Sequence, residues 1–193
     1  RSALDQETRH FVNKFCLTEH GDLLIDWMEL EKLHSEFQYR LFAQSLKWVS
    51  SNPYRPRFDA LKRVLKDSLR GKTRTIHGCL IYPEKTQIRV SREFKAVADT
   101  RMDLVHQAVW DRRWKVQCTG TELSSRLTIA PLGPEGAKWV RGQGNFSLPF
   151  RTLQAHPGIF QGKEILYAPS LIENKHISAT FCARPFQQGL GSY

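Results

Sequence analysis

Residues 58–82 read FDALKRVLKDSLRGKTRTIHGCLIY, and the spacing of apolar residues changes once inside this stretch. Phe58, Leu61, Leu65 and Leu69 recur every three or four residues, which predicts one face of an amphipathic helix. Lys62, Lys66 and Arg70 recur every four residues on another face, with Arg63 beside them. Gly71 is placed to stop the helix, because glycine adopts left-handed backbone at a helix end without steric cost. After Arg74 the period shortens. Thr75–Tyr82 and Thr86–Ser91 read as strands, and the Pro83-Glu84-Lys85 connection predicts a β-hairpin. Helical segments followed by strand segments place the chain in the α+β class.

Working outward, Leu4, Phe11, Val12 and Phe15 have helix-like spacing, and Gly21-Asp22 predicts a turn before a short strand, Leu23-Leu24-Ile25. Leu30, Leu33, Phe37, Leu41 and Trp48 mark one stripe of a long helix from about Glu29 to Ser50. Ser51-Asn52-Pro53 ends it, since a residue before proline is biased away from α geometry. On the other side, residues 95–106 are polar and mixed, a candidate linker. Residues 114–118, 127–130, 164–167 and 177–181 are strand-like, and a short helix is expected between Leu148 and Ala155. The expected organisation is a helical domain over 1–97 ending in the hairpin, then a small β-rich C-terminal domain over 98–193.

The 193 residues carry 29 Lys+Arg against 19 Asp+Glu, a formal net charge of +10. Between Arg55 and Arg74 there are eight basic residues and two acids, so more than half of the excess lies in this stretch. Such a surplus favours polyanions over acidic small molecules. Lysine and arginine at one-turn spacing follow a phosphate backbone and release its counterions, and arginine adds bidentate geometry. Arg55, Arg57, Lys62, Arg63, Lys66, Arg70 and Arg74 are therefore candidate nucleic-acid contacts. Tyr54 and Phe58 flank the arginines and have the chemistry to stack on a base; Phe58 also fits the apolar stripe and is expected in the core.

No apolar run approaches the roughly 18 residues of a membrane span, and the polar start, Arg1–Glu7, has no signal-peptide core. Membrane partners are not expected. Cys16, Cys79, Cys118 and Cys182 are widely spaced without a Cys-x-x-Cys pair, so buried free thiols in a reducing cytoplasm are expected rather than two disulfides. The seven histidines are scattered and give no zinc-like spacing. No phosphate loop of the Gly-x-x-x-x-Gly-Lys-Ser/Thr type and no Gly-x-Ser-x-Gly motif occurs, so neither a catalytic set nor a cofactor site is expected. The only methionines are Met28 and Met102, so the chain reads as a segment of a longer protein.

Several pieces taken in order resemble the C-terminal half of bacterial tRNA(Ile)-lysidine synthetases. They are Arg40-Leu41, Tyr54-Arg55-Pro56-Arg57, Leu69-Arg70-Gly71-Lys72, Thr75-Ile76-His77-Gly78-Cys79 and Ile88-Arg89-Val90-Ser91-Arg92-Glu93. Trp110-Asp111-Arg112-Arg113-Trp114, Leu132-Gly133-Pro134-Glu135-Gly136, Leu148-Pro149 and Tyr167-Ala168-Pro169-Ser170-Leu171 follow in the expected order. The sequence departs from the family pattern at Ile76-His77, near which glycine is usual, and at Arg112, where many members have a smaller residue. The resemblance implies a ligase that uses ATP, with Mg, to adenylate the wobble cytidine of tRNA(Ile) and then attaches lysine. It places ATP and lysine in an N-terminal domain with a Ser-Gly-Gly-x-Asp-Ser loop, a sequence this segment does not contain. The segment itself is expected to bind tRNA, including the acceptor stem, with Arg113 and Arg151 as secondary contacts. The competing expectation is a stand-alone, non-enzymatic nucleic-acid-binding domain.

Overall fold

In the computed structural model, which describes residues 2–119 and 126–191, the chain divides into two units. Arg1–Arg92 together with Ala183–Tyr193 form the first, and Glu93–Cys182 form the second. A sequential cut at residue 97 would not produce this partition. The second unit starts at Glu93, and the C-terminal segment belongs to the first. Phe186 is the reason: it is fully buried, its ring meets Trp48 edge-on at 5.7 Å, and Trp48 Nε1 donates to the Arg184 carbonyl (2.8 Å).

The first unit begins with α1 (Ser2–Phe15), β1 (Cys16–Glu19) and β2 (Asp22–Asp26). Next come α2 (Trp27–Lys32), α3 (Ser35–Ser50) and α4 (Phe58–Leu69). Strands β3 (Arg74–Ile76), β4 (Cys79–Glu84) and β5 (Gln87–Arg92) complete an antiparallel sheet in the order β1-β2-β5-β4-β3. Leu23, Ile25, Cys79, Ile81, Ile88 and Val90 point from one sheet face into a core shared with Leu41, Leu46, Val49, Leu61 and Leu65 of α3 and α4.

The long helix expected over 29–50 is two helices. Leu33 is extended (ψ 152°), His34 Nδ1 accepts from Glu36 N (3.4 Å), and Gln38 Nε2 reaches the carbonyls of Leu30 and Leu33 (3.0 and 2.9 Å). The apolar stripe runs through the break, which is why periodicity alone does not reveal it. Helix α4 does end at Gly71 (φ +75°): Lys72 N donates to Asp67 O (3.0 Å) and Gly71 N to Ser68 O (2.9 Å). This paired closure satisfies two of the carbonyls a helix end leaves open.

The hairpin is also more divided than expected. His77-Gly78, both at positive φ, turn the predicted strand 75–82 back on itself, giving β3 and β4. Pro83 and Glu84 stay in β4, opposite Ile88 and Gln87, and the β4–β5 turn lies at Lys85-Thr86. Pro83 is tolerated because β3 is short and pairs only as far as Ile81, so no neighbour on that side needs its missing N–H.

Across the other sheet face, Leu24, Arg89 and Tyr82 lie in register. Arg89 is 4% exposed. Its guanidinium donates to Glu84 Oε2 (2.6 Å), Glu19 Oε2 (2.7 Å) and Asp22 Oδ2 (3.2 Å), so one side chain ties β1, β2, β4 and β5. Burial alone would lower the Arg89 pKa; the bonds to Glu84 and Glu19 and the charge of Asp22 outweigh it and raise the pKa.

The second unit opens with a 3-10 turn (Phe94–Ala96) followed by β6 (Met102–Leu104), β7 (Gln107–Trp110), β8 (Trp114–Cys118) and β9 (Leu127–Pro131). Then come α5 (Gly133–Gly142), α6 (Phe150–Leu153), β10 (Pro157–Gln161), β11 (Glu164–Tyr167) and β12 (Ile177–Phe181). Two antiparallel sheets result, β11-β10-β9-β6 and β12-β8-β7. The linker expected over 95–106 is therefore partly strand, since Met102–Leu104 pair with Leu127–Ile129. Helix α5 packs tightly on the residue before it: a Cβ at Gly136 would fall 2.8 Å from Leu132 Cβ. The fold is α+β, with strands predominating in this unit.

All four cysteines are free, Cys79 and Cys118 being buried and Cys16 partly so. Cys182, expected inside, is exposed just beyond the end of β12. No described helix is long and apolar enough to cross a membrane.

Candidate nucleic-acid interface

At 100° per residue, Lys62, Arg63, Lys66 and Arg70 occupy about 100° of arc around α4, opposite the buried Leu61, Val64, Leu65 and Ser68. The four cations are exposed. Asp67 sits at the edge of this arc, but its carboxylate is already engaged by Arg74 Nε (2.8 Å) and Lys72 Nζ (3.4 Å). The hydrogen bond from Arg74 holds the Asp67 carboxyl below the usual range against the opposing effect of burial, with the Arg74 charge and Lys72 adding to it. Arg74, a predicted contact, therefore braces β3 against the end of α4. That brace occupies one acid beside the basic face; Asp59, exposed in the first turn of α4, falls within the same arc.

Arg57 is the N-cap of α4, exposed and without a side-chain cap bond, and Arg55 precedes it by one proline. The approach segment is held at Tyr54 by two contacts. Tyr54 N donates to Asn52 Oδ1 (3.1 Å). Burial lowers the His77 pKa against an opposing hydrogen bond with the Tyr54 backbone, and the nearby Arg92 and Lys47 charges lower it further. A neutral His77 in the β3–β4 turn thus steadies the segment that carries Arg55 and Arg57.

Phe58, expected in the core, is 58% exposed. As the first residue of α4 it has no preceding turn to pack against, and its ring meets Tyr39 of α3 edge-on (5.2 Å, 80°). The two rings border a depression of about 460 Å³ between α3 and α4, whose polar lining includes Arg40, Gln44, Lys47 and Arg55. Tyr39 also lines an adjoining depression of about 260 Å³ shared with Lys62, Lys66 and Arg70. Arg40, Gln44 and Lys47 were not singled out as contacts from the sequence. Their spacing of four and three residues on one helix face was the available signal.

Two predicted contacts belong to the second unit. Arg113 is 2% exposed, in the β7–β8 turn, with its guanidinium 5.3 Å from the Phe181 ring centroid and its carbonyl accepting from Cys182 N (2.6 Å). Burial directs it to a packing position rather than to an open face. Arg151 is exposed on α6. Neither lies in the unit that holds the α4 face.

No family model matches the chain. Individual curated proteins do. A tRNA(Ile)-lysidine synthase from Ruegeria pomeroyi is 27% identical over 169 residues, 88% of this chain. One from a Wolbachia of Brugia malayi is 31% identical over 138 residues, 67% of the chain. One from Anaplasma marginale is 25% identical over 199 aligned positions, 89% of the chain. The chain belongs to the tRNA(Ile)-lysidine synthase family. The matched regions span 39%, 31% and 42% of these relatives' own lengths, so this chain corresponds to well under half of each.

Among the described residues, no group of three or more His, Cys, Asp or Glu is placed to hold a metal ion. Glu19, Asp22 and Glu84 do converge, but on the Arg89 guanidinium, which fills the space between them.

Proposed function

We propose that this segment is the tRNA-holding part of a lysidine synthase, with the exposed face of α4 and the Arg55-Pro56-Arg57 approach gripping phosphates. One observation carries the reading: Lys62, Arg63, Lys66 and Arg70 share one face while Asp67 beside them is occupied by Arg74 and Lys72. From Lys62 to Arg70 the helix axis runs about 12 Å, enough to meet more than one phosphate. Phosphate contacts position an RNA without reading it, so selectivity comes from shape and from groups off this face. Arg151, on the β-rich unit, is the second contact, toward the acceptor end. In the whole enzyme ATP activates the wobble cytidine of tRNA(Ile) and lysine is attached there; ATP, Mg and lysine are held outside this segment.

The test is the salt dependence of tRNA binding by the full chain and by a Lys62→Ala, Lys66→Ala, Arg70→Ala triple variant. The log–log slope is expected to fall by roughly 0.9 for each lost duplex-phosphate contact, or about 0.7 for a single strand. An unchanged slope in a folded triple variant refutes the assignment. Equal affinity for tRNA(Ile) and bulk RNA would favour a general, non-enzymatic binder instead.

A further inference from the structure

The groove between α3 and α4 has two properties that a phosphate-gripping surface does not need. Its walls include Tyr39 and the exposed Phe58, and its volume of about 460 Å³ falls within the roughly 300–1,000 Å³ typical of ligand sites. A single exposed phenylalanine is unremarkable on a protein surface. This one stands beside Lys47 and Arg55, with Arg40 held on the same rim by Glu36 (2.5 Å). An apolar peptide would not call for those cations, and a phosphate alone would not call for the rings. A flat aromatic group joined to a phosphate uses both.

We propose that this groove takes one unpaired nucleobase of the bound RNA, stacked on Phe58, with its flanking phosphates at Lys47 and Arg55. The proposal rests on the phosphate-gripping reading of α4. Continuity supports it, because Tyr39 lines both this groove and the depression formed with Lys62, Lys66 and Arg70. A strand held on α4 passes the mouth of the groove. The base must be unpaired, since a base inside a duplex has both faces covered by its neighbours. Stacking accepts any base, so the groove recognises single-strandedness rather than sequence.

The test compares the full chain with Phe58→Ala and Phe58→Trp on two RNAs, a tRNA transcript and a blunt duplex of equal phosphate number. Phe58→Ala is expected to weaken tRNA binding about tenfold, the scale of one lost base–aromatic stack. Duplex affinity and the salt slope should stay the same, and Phe58→Trp should retain tRNA affinity. Equal loss on both RNAs, or no loss on either, overturns the pocket. If Phe58→Ala fails to fold, Phe58→Leu keeps the apolar bulk without the π face and is expected to show the same selective loss. The Lys62, Lys66, Arg70 triple variant separates the two readings. If it weakens binding while the Phe58 variants are silent, only the base pocket falls; if it too is silent, the phosphate reading falls. Self-association, or binding of free AMP, that Phe58→Ala abolishes without changing RNA affinity would assign the groove to another occupant and overturn the proposal.

Discussion

Arg89→Met removes the cation shared by Glu19, Asp22 and Glu84 while keeping most of the aliphatic length that packs against the sheet. The three acids do not suffer equally. Glu19 and Glu84 retain side-chain exposures of 32% and 30% and turn to water, but Asp22, at 3%, keeps its charge buried without the cation. Removing one partner of a buried pair costs about 3–5 kcal/mol, and with one acid truly trapped the low end applies, about 3 kcal/mol. The first unit has about 100 residues, for which each kcal/mol moves Tm by about 4–8 °C, so a loss of roughly 12–24 °C is expected. Thermal unfolding followed by fluorine NMR of 5-fluorotryptophan-labelled protein separates the units: Trp27 and Trp48 report the first, and Trp110, Trp114 and Trp139 the second. Adding Asp22→Asn to Arg89→Met should restore part of the loss, because the buried charge is then gone. A shift of less than about 1 kcal/mol, the worth of a surface pair, or a double variant less stable than the single one, would refute the view that Arg89 neutralises a trapped acid.

Other tests are simpler. Arg112 sits at φ +57° in the β7–β8 turn, where a side chain costs roughly 1–2 kcal/mol that glycine avoids, less about 0.5–1 kcal/mol of extra entropy in the unfolded chain. Arg112→Gly should therefore raise the stability of the second unit by up to about 1.5 kcal/mol, measured by its thermal unfolding. Alkylation under native conditions at pH 8 should modify the exposed Cys182 first and leave Cys16 unreacted, since burial, aided by Asp26, pushes the Cys16 thiol up to about 12. Peptide mass spectrometry reads the order. The folded-state pKa of His77 lies below its ordinary value of 6.5. The unfolded chain therefore binds more protons there, and this contribution to stability, complete above about pH 6.5, is lost as pH falls towards the folded value. An NMR titration of the His77 ring should place its midpoint below 6.5, and a midpoint above that would refute the neutral-histidine brace.

Much of this was readable from local pattern. Helix α4, its stop at Gly71 and the strands around 114–118, 127–130 and 177–181 follow from side-chain period and turn chemistry, which act over a few residues. What escaped depends on distant parts of the chain. Alternation puts Arg89 on the face opposite Ile88 and Val90, which suggests solvent, and only the arrival of Glu19 and Asp22 in the same sheet makes it a buried cation. Helix α5 escapes because Gly133, Pro134 and Gly136 are weak helix formers, and only the contact of Gly136 with Leu132 gives that glycine a packing reason. Phe58 fits the helical stripe perfectly well; its exposure reflects its place at the helix start, where its ring meets Tyr39 edge-on. Both departures from the family pattern gain a physical meaning, because His77 and Arg112 occupy positive-φ turn positions that glycine suits best.

The return of residues 183–191 to the first unit makes the second unit a guest, entered at Glu93 and left after Cys182. During synthesis the host therefore waits: its sheet and helices emerge early, but the side chain that closes its core beside Trp48 arrives only after the whole guest has been made. A chain interrupted before Ala183 would carry a finished guest and an open host, with apolar surface displayed where Phe186 belongs. In this arrangement the segment after Cys182 acts as a seal, applied only once synthesis has passed through the guest.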